Sequence, residues 1–291
     1  MLDEVERKRL VSEVLPEARR VGVSEELRGW NYREPPMRPP KTGALLPNYL
    51  VASRYCPTSR DVYLSITMGI RGEVTEGMRV GTAIHAAVRG AMESAQGDSN
   101  PDFGDWWRTS GLRDDLRPRA EDVWRYTRAQ ATAAIEWALA AAPFSSRRDA
   151  IATALPFLVE HRIDGSLIGL SRNLALDAYD YLRGIVFDLK YLRESSAPDH
   201  WRRLYAVGYA VAIESIYEVP VDVGCVVYVS WSRDRMRVMR DLFFIGDDLR
   251  SEWLEQRDLK AEIVASRRDP GIPPACDGDC PFMGVCGGRG T

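Results

Sequence analysis

Lysine is scarce in this chain. Of its 39 basic residues, only Lys8, Lys41, Lys190 and Lys260 are lysine. Such arginine usage fits genome composition and heat adaptation equally. It sets Lys190 apart, a compact ammonium with a tunable pKa in a chain that otherwise uses guanidinium. Histidine is scarcer still, with His85, His161 and His200 only. Long apolar runs are missing as well. The alanine-rich run at 138–142 stops at Pro143, far short of the roughly 20 residues that span a bilayer. The start, MLDEVERKRLVSEVL, is charged throughout and reads as neither signal peptide nor anchor. Together these point to a cytoplasmic protein with no membrane partner. The net charge of −3 excludes a global basic field, so a nucleic-acid role needs a local basic face. No G-x-x-x-x-G-K-[ST] loop occurs, which excludes a P-loop motor in this chain.

What is present is a chain of 291 residues, 45% hydrophobic and 28% charged, enough for one or two domains with a sizeable core. Residues 1–48 read as a helix, interrupted or ended at Pro16, followed by a Pro-rich arm in which ELRGWNY supplies an aromatic anchor. Residues 49–153 read as a helical part carrying Cys56 and His85, with its clearest helix over 77–96 and a longer helical stretch over 105–142. Residues 154–268 hold strands at 154–164, 172–179, 184–190, 221–230 and 236–244. A turn at 195–199, where Asp199 or a nearby serine can cap, precedes a helix at 200–217, and a last helix covers 247–266. Residues 269–291 form a Cys-rich tail. The fold class is α/β, a mixed central sheet flanked by helices in one compact unit.

The stretch RNLALDAYDYLRGIVFDLK, residues 172–190, is where chemistry concentrates. Strict alternation puts Leu174, Leu176 and Ala178 on one face and Ala175, Asp177 and Tyr179 on the other. In the next strand Ile185, Phe187 and Leu189 share a face opposite Val186, Asp188 and Lys190. At about 3.3 Å per residue, Asp188 and Lys190 stand roughly 6.6 Å apart along the strand. If the strands pair, Asp177 reaches the same spot. Two carboxylates and an ammonium can hold a divalent metal and stabilise charge on a phosphate. A surface salt bridge is the common alternative for any D-x-K, but apolar strands make such charges costly without a purpose. His85 lies on the flank of the 77–96 helix beside its apolar face, as a packed histidine or as a further ligand. Glu160 on the first strand is an additional acidic candidate. Tyr205 and Tyr209, four apart on a helix, suit core packing, with DNA contact as the alternative.

Cys225, in VDVGCVVYVS, reads as a buried small hydrophobe. The tail reads Cys276-x3-Cys280-x5-Cys286, with Gly278, Gly284, Gly287 and Gly288 allowing the backbone to wrap closely. A disulfide is weakly supported in a reducing compartment. Three thiolates leave a four-coordinate centre one ligand short, and Cys56 is the natural fourth. Zinc and iron–sulfur both accept four cysteines. One lone cysteine plus three, with proline after Cys56 and Cys280, favours iron–sulfur over zinc, with free thiols as the bland alternative. Either metal ties residue 56 to residue 286.

The order of Cys-Pro, G-x-x-x-H, an isolated strand aspartate, D-x-K, a tyrosine-bearing helix and three terminal cysteines resembles the RecB-like PD-(D/E)xK nucleases that carry an iron–sulfur cluster. Among these the chain is most similar to the CRISPR-associated Cas family four nucleases. GVSEELRGWNYREPPMRPP and DGSLIGLSRNLALDA look like the archaeal subtype called Csa. The resemblance implies a restriction-endonuclease-like core in which His85, Asp177, Asp188 and the carbonyl of Leu189 bind Mg²⁺ or Mn²⁺. It implies that Lys190 positions water, and that Cys56, Cys276, Cys280 and Cys286 hold a [4Fe–4S] or [2Fe–2S] cluster. It further implies exonuclease action on single-stranded DNA ends beside the spacer-integration proteins of CRISPR adaptation, and it leaves room for an oligomer. Asp188 stands where the family usually has glutamate, Tyr205 replaces the glutamine of Q-x-x-x-Y, and Arg89 lies four after His85 in place of an acid. A non-catalytic iron–sulfur DNA-binding subunit is the competing expectation.

Overall fold

A computed structural model describes residues 2–41, 43–97, 101–193, 198–276 and 280–287. Gly278, Gly288 and the 195–197 part of the expected turn lie outside these.

The chain opens with α1 (Glu4–Arg9), where Asp3 and Glu6 exchange backbone hydrogen bonds in a capping box. A π-helical turn, Leu10–Val14, joins it to α2 (Leu15–Val21). Of the two expectations for Pro16, interruption is the one that fits: the α-helix is broken by the π-helical turn just before it and resumes as α2. The wider turn lets the Leu15 N–H bond Leu10 O, and Pro16 falls in the first turn of α2, where its missing N–H removes no helical bond.

Four helices follow the arm: α3 (Asn48–Ala52), α4 (Arg60–Val62), α5 (Glu76–Gln96) and α6 (Phe103–Ser110). Then come α7 (Arg117–Ala141) and α8 (Arg147–Ala154). The sequence reading misses α8 and starts a strand at its last residue. The signal was present, since Ser146 and Asp149 form a capping box. The strands are β1 (Phe157–Ile163), β2 (Leu174–Asp180), β3 (Ile185–Tyr191), β4 (Val223–Ser232) and β5 (Arg235–Phe244). Between β3 and β4 runs α9 (Arg203–Tyr217), and α10 (Asp247–Ser266) follows β5. The short α11 (Met283–Cys286) lies in the tail. Among the described residues no helix is long and apolar enough to cross a membrane.

The five strands lie in sequence order in one mixed sheet. β3 and β4 are parallel, with α9 as their crossover, and every other neighbour pair is antiparallel. One face presents Val186, Val226 and Tyr228 to the main core with α3, α9 and α10. The other presents Ile185, Phe187, Val223 and Leu242 to Leu2, Leu10 and Val14, with fully buried Cys225 among them. Further along that face Val229, Leu189 and Tyr191 pack under α5 and α7. Covering the sheet on both sides buries the middle of β3.

The arm is fixed both by apolar packing, with Leu27, Met37 and Leu46 in the main core and Tyr32 of ELRGWNY against it, and by charge. Glu214 of α9, fully buried, accepts from Arg28 Nη1 at 2.9 Å, from the Gly29 N–H at 2.9 Å and from both Nη atoms of Arg250. Asp222 takes a second bond from Arg28. The arm comes so close to α9 that a Cβ on Gly29 would lie 2.1 Å from Val211 O. Arg257 holds the Pro-rich part through the carbonyls of Pro36 and Met37. Lys260, also buried, donates to the carbonyls of Val51 and Ser53 at 2.8 and 2.7 Å. At the other end of the chain, Arg60 pairs with Asp269, Thr58 Oγ1 donates to Gly271 O at 2.9 Å, and the Glu73 N–H bonds Pro281 O at 2.8 Å. The tail is thereby drawn back onto the Cys56 segment.

Candidate metal centre

The site lies where β1, β2 and β3 meet the flank of α5. The pairs Val159 with Ala178 and His161 with Leu176 set Glu160 directly opposite Asp177. Glu160 has φ +50°, a left-handed conformation in the middle of a strand. Side-chain alternation slips at this point on both strands. Leu174, Leu176 and Tyr179 all pack with the main core, whereas Ala178 packs on the opposite side. Leu158 and Ile163 likewise share the main core across Glu160. The sequence reading, which assumed strict alternation, grouped Ala178 with Leu174 and put Tyr179 on the opposite face. The local kink reverses that assignment.

The β2–β3 ladder pairs Asp180, Tyr179 and Ala178 with Ile185, Val186 and Phe187. Beyond it the Asp177 carboxylate accepts the Leu189 N–H at 2.7 Å. His85 enters from α5. Its Nδ1 lies 3.2 Å from Glu160 Oε1 and 3.7 Å from Asp177 Oδ1, and its Nε2 lies 3.2 Å from Leu189 O. All three neighbours are acceptors, so both ring nitrogens donate. Burial pulls the imidazole pKa down, but Asp177 and Glu160 outweigh it and raise it to about 9. One ligand atom from each of His85, Glu160 and Asp177 lies within 4.8 Å of the other two.

Asp188 and Lys190 form an adjoining pair on the main-core side of β3. Lys190 Nζ donates to Asp188 Oδ1 at 2.8 Å and sits 3.7 Å from the centroid of the Tyr205 ring. Asp188 is fully buried, and its Oδ2 has no hydrogen-bond partner. Burial pushes its carboxyl up against the pull of Lys190, and the Asp188 charge in turn raises the Lys190 ammonium against its own burial. Tyr209 Oη donates to Asp177 Oδ1 at 3.5 Å.

The fold thus brings His85, Asp177 and the Leu189 carbonyl to one point, with Asp188 and Lys190 beside it and Tyr205 and Tyr209 beneath. Glu160, given little weight from sequence, stands in the tightest group. Its signal was positional, since it pairs across the ladder with Asp177. Imidazole, carboxylate and carbonyl donors suit a hard divalent cation.

A second constellation holds the cysteines. Cys56, Cys276, Cys280 and Cys286 are free thiols, and Leu64, Phe282, Tyr63 and Ile70 pack around Cys280 and Cys286. Burial pushes the Cys280 thiol up, and Cys56, Cys286 and Cys276 push in the same direction. Among the described residues no three of these sulfurs lie within 4.8 Å of one another. Gly287, at φ +61°, turns the chain after Cys286.

Residues 1–289 match the family model described as CRISPR-associated exonuclease Csa1. A protein of that name from Thermoproteus tenax is 33% identical over 270 residues, 91% of each chain. Another from Saccharolobus solfataricus is 32% identical over 277 residues, 91% of this chain and 92% of its own length. No solved structure was found to match. With nearly its whole length aligned to the model and to both relatives, the chain belongs to the CRISPR-associated exonuclease Csa1 family.

Proposed function

We propose that the protein is a divalent-metal-dependent DNA exonuclease with a RecB-like core, acting on DNA ends for CRISPR spacer acquisition. The observation that carries this reading is the convergence of His85, Glu160 and Asp177 within 4.8 Å, beside the Leu189 carbonyl. These residues would hold Mg²⁺ or Mn²⁺, with Asp188 completing the acidic set. Such an ion supplies Lewis acidity toward a phosphodiester and a nucleophile at neutral pH. Lys190, kept protonated by Asp188, places a positive charge where the phosphate gains negative charge. Tyr205 and Tyr209 hold Lys190 and Asp177 in place from below. The names of the relatives support the exonuclease class and the CRISPR setting.

The four cysteines would hold an iron–sulfur cluster. One lone cysteine plus a group of three, with proline after Cys56 and Cys280, supports this reading over zinc, and the cluster's role would be to fasten the tail to the Cys56 segment.

The test is Mn²⁺-dependent cleavage of end-labelled DNA by Lys190→Met and Asp188→Ala, with circular dichroism to verify folding. Loss of cleavage in folded variants is expected, and unchanged rates in both reject the site. Visible and EPR spectra of anaerobically purified protein test the cluster. A colourless protein with stoichiometric zinc overturns it.

A further inference from the structure

A cavity under α5 and α7 shares a wall with the metal centre. His85, Glu160 and Asp177 line it together with Val88, Val123 and Val227. Its volume is about 110 Å³, the scale of an apolar cavity that admits one planar ring and not a whole nucleotide. The lining is mostly aliphatic and aromatic; away from the metal centre Thr127, Gln130 and Arg240 are polar, and Arg240 alone of these is charged.

Arg240 is only 6% exposed. Its Nη1 donates to Glu6 Oε1 at 3.1 Å and lies 3.9 Å from Asp3 Oδ2, and its Nη2 donates to Tyr126 Oη at 2.8 Å. Its Nε is buried and has no partner. A buried donor without an acceptor is costly, and a ligand carrying a ring nitrogen or carbonyl removes that cost. The sheet register fixes where this donor stands. Arg240 pairs with Val227 on β4, Val227 pairs with Leu189 on β3, and Leu189 bonds Asp177 of β2. Three strand spacings separate Arg240 from Asp177, roughly 14 Å. A phosphate held at the carboxylates can therefore reach toward Arg240 with its own base.

We propose that this cavity receives the nucleobase of the terminal nucleotide whose phosphodiester is cut. The base faces lie against the valines, and an acceptor on its edge meets the Arg240 guanidinium. The proposal rests on the nuclease reading above. It adds a base-recognising subsite to a centre that would otherwise handle only phosphate. A base fits only when unpaired, so cutting is confined to nucleotides whose partner strand is absent or frayed.

The experiment compares, in Mn²⁺, oligonucleotides carrying a natural or an abasic nucleotide at each end in turn. Wild-type full-length protein should cut the natural end at least tenfold better in kcat/KM. Val227→Phe fills the cavity while leaving the Arg240 ion pairs intact, and Arg240→Met removes the donor. Both should bring the ratio close to one. In Ca²⁺ a terminal 2-aminopurine should change its fluorescence on binding wild type more than an internal one does, and Val227→Phe should abolish the difference. A wild type that cuts natural and abasic ends equally overturns the subsite while leaving the nuclease standing, and this comparison needs no variant to fold. Retention of the full ratio by Val227→Phe also overturns it. A wild type that cuts neither substrate removes the nuclease reading, and the subsite with it.

Discussion

The Asp177 carboxylate accepts the Leu189 N–H at 2.7 Å, so a side chain stands where the β2–β3 ladder would have continued. Asp177 thus has a structural bond as well as a charge, and substitutions separate the two. Asp177→Asn keeps an oxygen for Leu189 and loses the charge, and Asp177→Ala loses both. Both should lower Mn²⁺-dependent cleavage by about 100-fold or more. Only the alanine should lose a further ~1–3 kcal/mol of stability, the cost of leaving a buried N–H without a partner. Cleavage rates and urea midpoints check this, and a fully active asparagine variant rules Asp177 out as a ligand.

Glu160 is held at φ +50° opposite Asp177. In an ordinary strand alanine is preferred to glycine, but at this backbone angle the order should invert. Glu160→Gly should be more stable than Glu160→Ala by about 1 kcal/mol. Both should bind Mn²⁺ at least tenfold more weakly than wild type in calorimetric titration. Equal affinity in all three proteins removes Glu160 from the metal group.

Glu214 is the shared acceptor of Arg28 and Arg250, and both it and Arg250 are fully buried. Glu214→Gln removes the buried charge that two guanidiniums share, and the expected loss is about 3–5 kcal/mol. Lys41 and Glu262 form an ion pair whose side chains are 41% and 55% exposed, and Glu262→Gln should cost under ~1 kcal/mol. Chemical denaturation of the two variants side by side decides whether charge pins the arm.

Lys260 is lowered to about 8 by burial, against an ordinary value of 10.5. Between those values the unfolded chain binds the proton more tightly than the folded one. The destabilising contribution is therefore full below pH 8 and fades as pH rises through 10.5. Relative to Lys260→Met, wild type should gain about 2 kcal/mol of stability between pH 7 and pH 10. Urea unfolding of both proteins across that range measures the difference, and a constant offset between them would contradict the buried ammonium.

The strands, the long helices and the central position of residues 172–190 could be read from periodicity, because burial on one face leaves a repeat in the sequence. Ligand arithmetic led to the expectation that the tail returns to the Cys56 segment, and the Arg60–Asp269 and Thr58–Gly271 bonds bring the two together. Three things could not be read from the sequence. The side-chain slip at Glu160 and Asp177 depends on a single left-handed residue, which has no periodic signature. Docking of the arm depends on Glu214 and Arg250, charged residues whose helical positions look like solvent-facing ones until the partners meet. The weight of Glu160 depends on strand register, which alternation alone leaves open by one residue.

α9 carries Tyr205 and Tyr209 against the site in its first two turns and Glu214 against the arm in its last. At 1.5 Å per residue, Tyr209 and Glu214 are about 7.5 Å apart along its axis. One rigid rod is thus clamped at one end and feels for position at the other. Cutting away the arm should leave the carboxylates in place, since they belong to the sheet, and let the tyrosines drift out of alignment beneath them. The N-terminal arm is in this sense the fence against which the active site is squared.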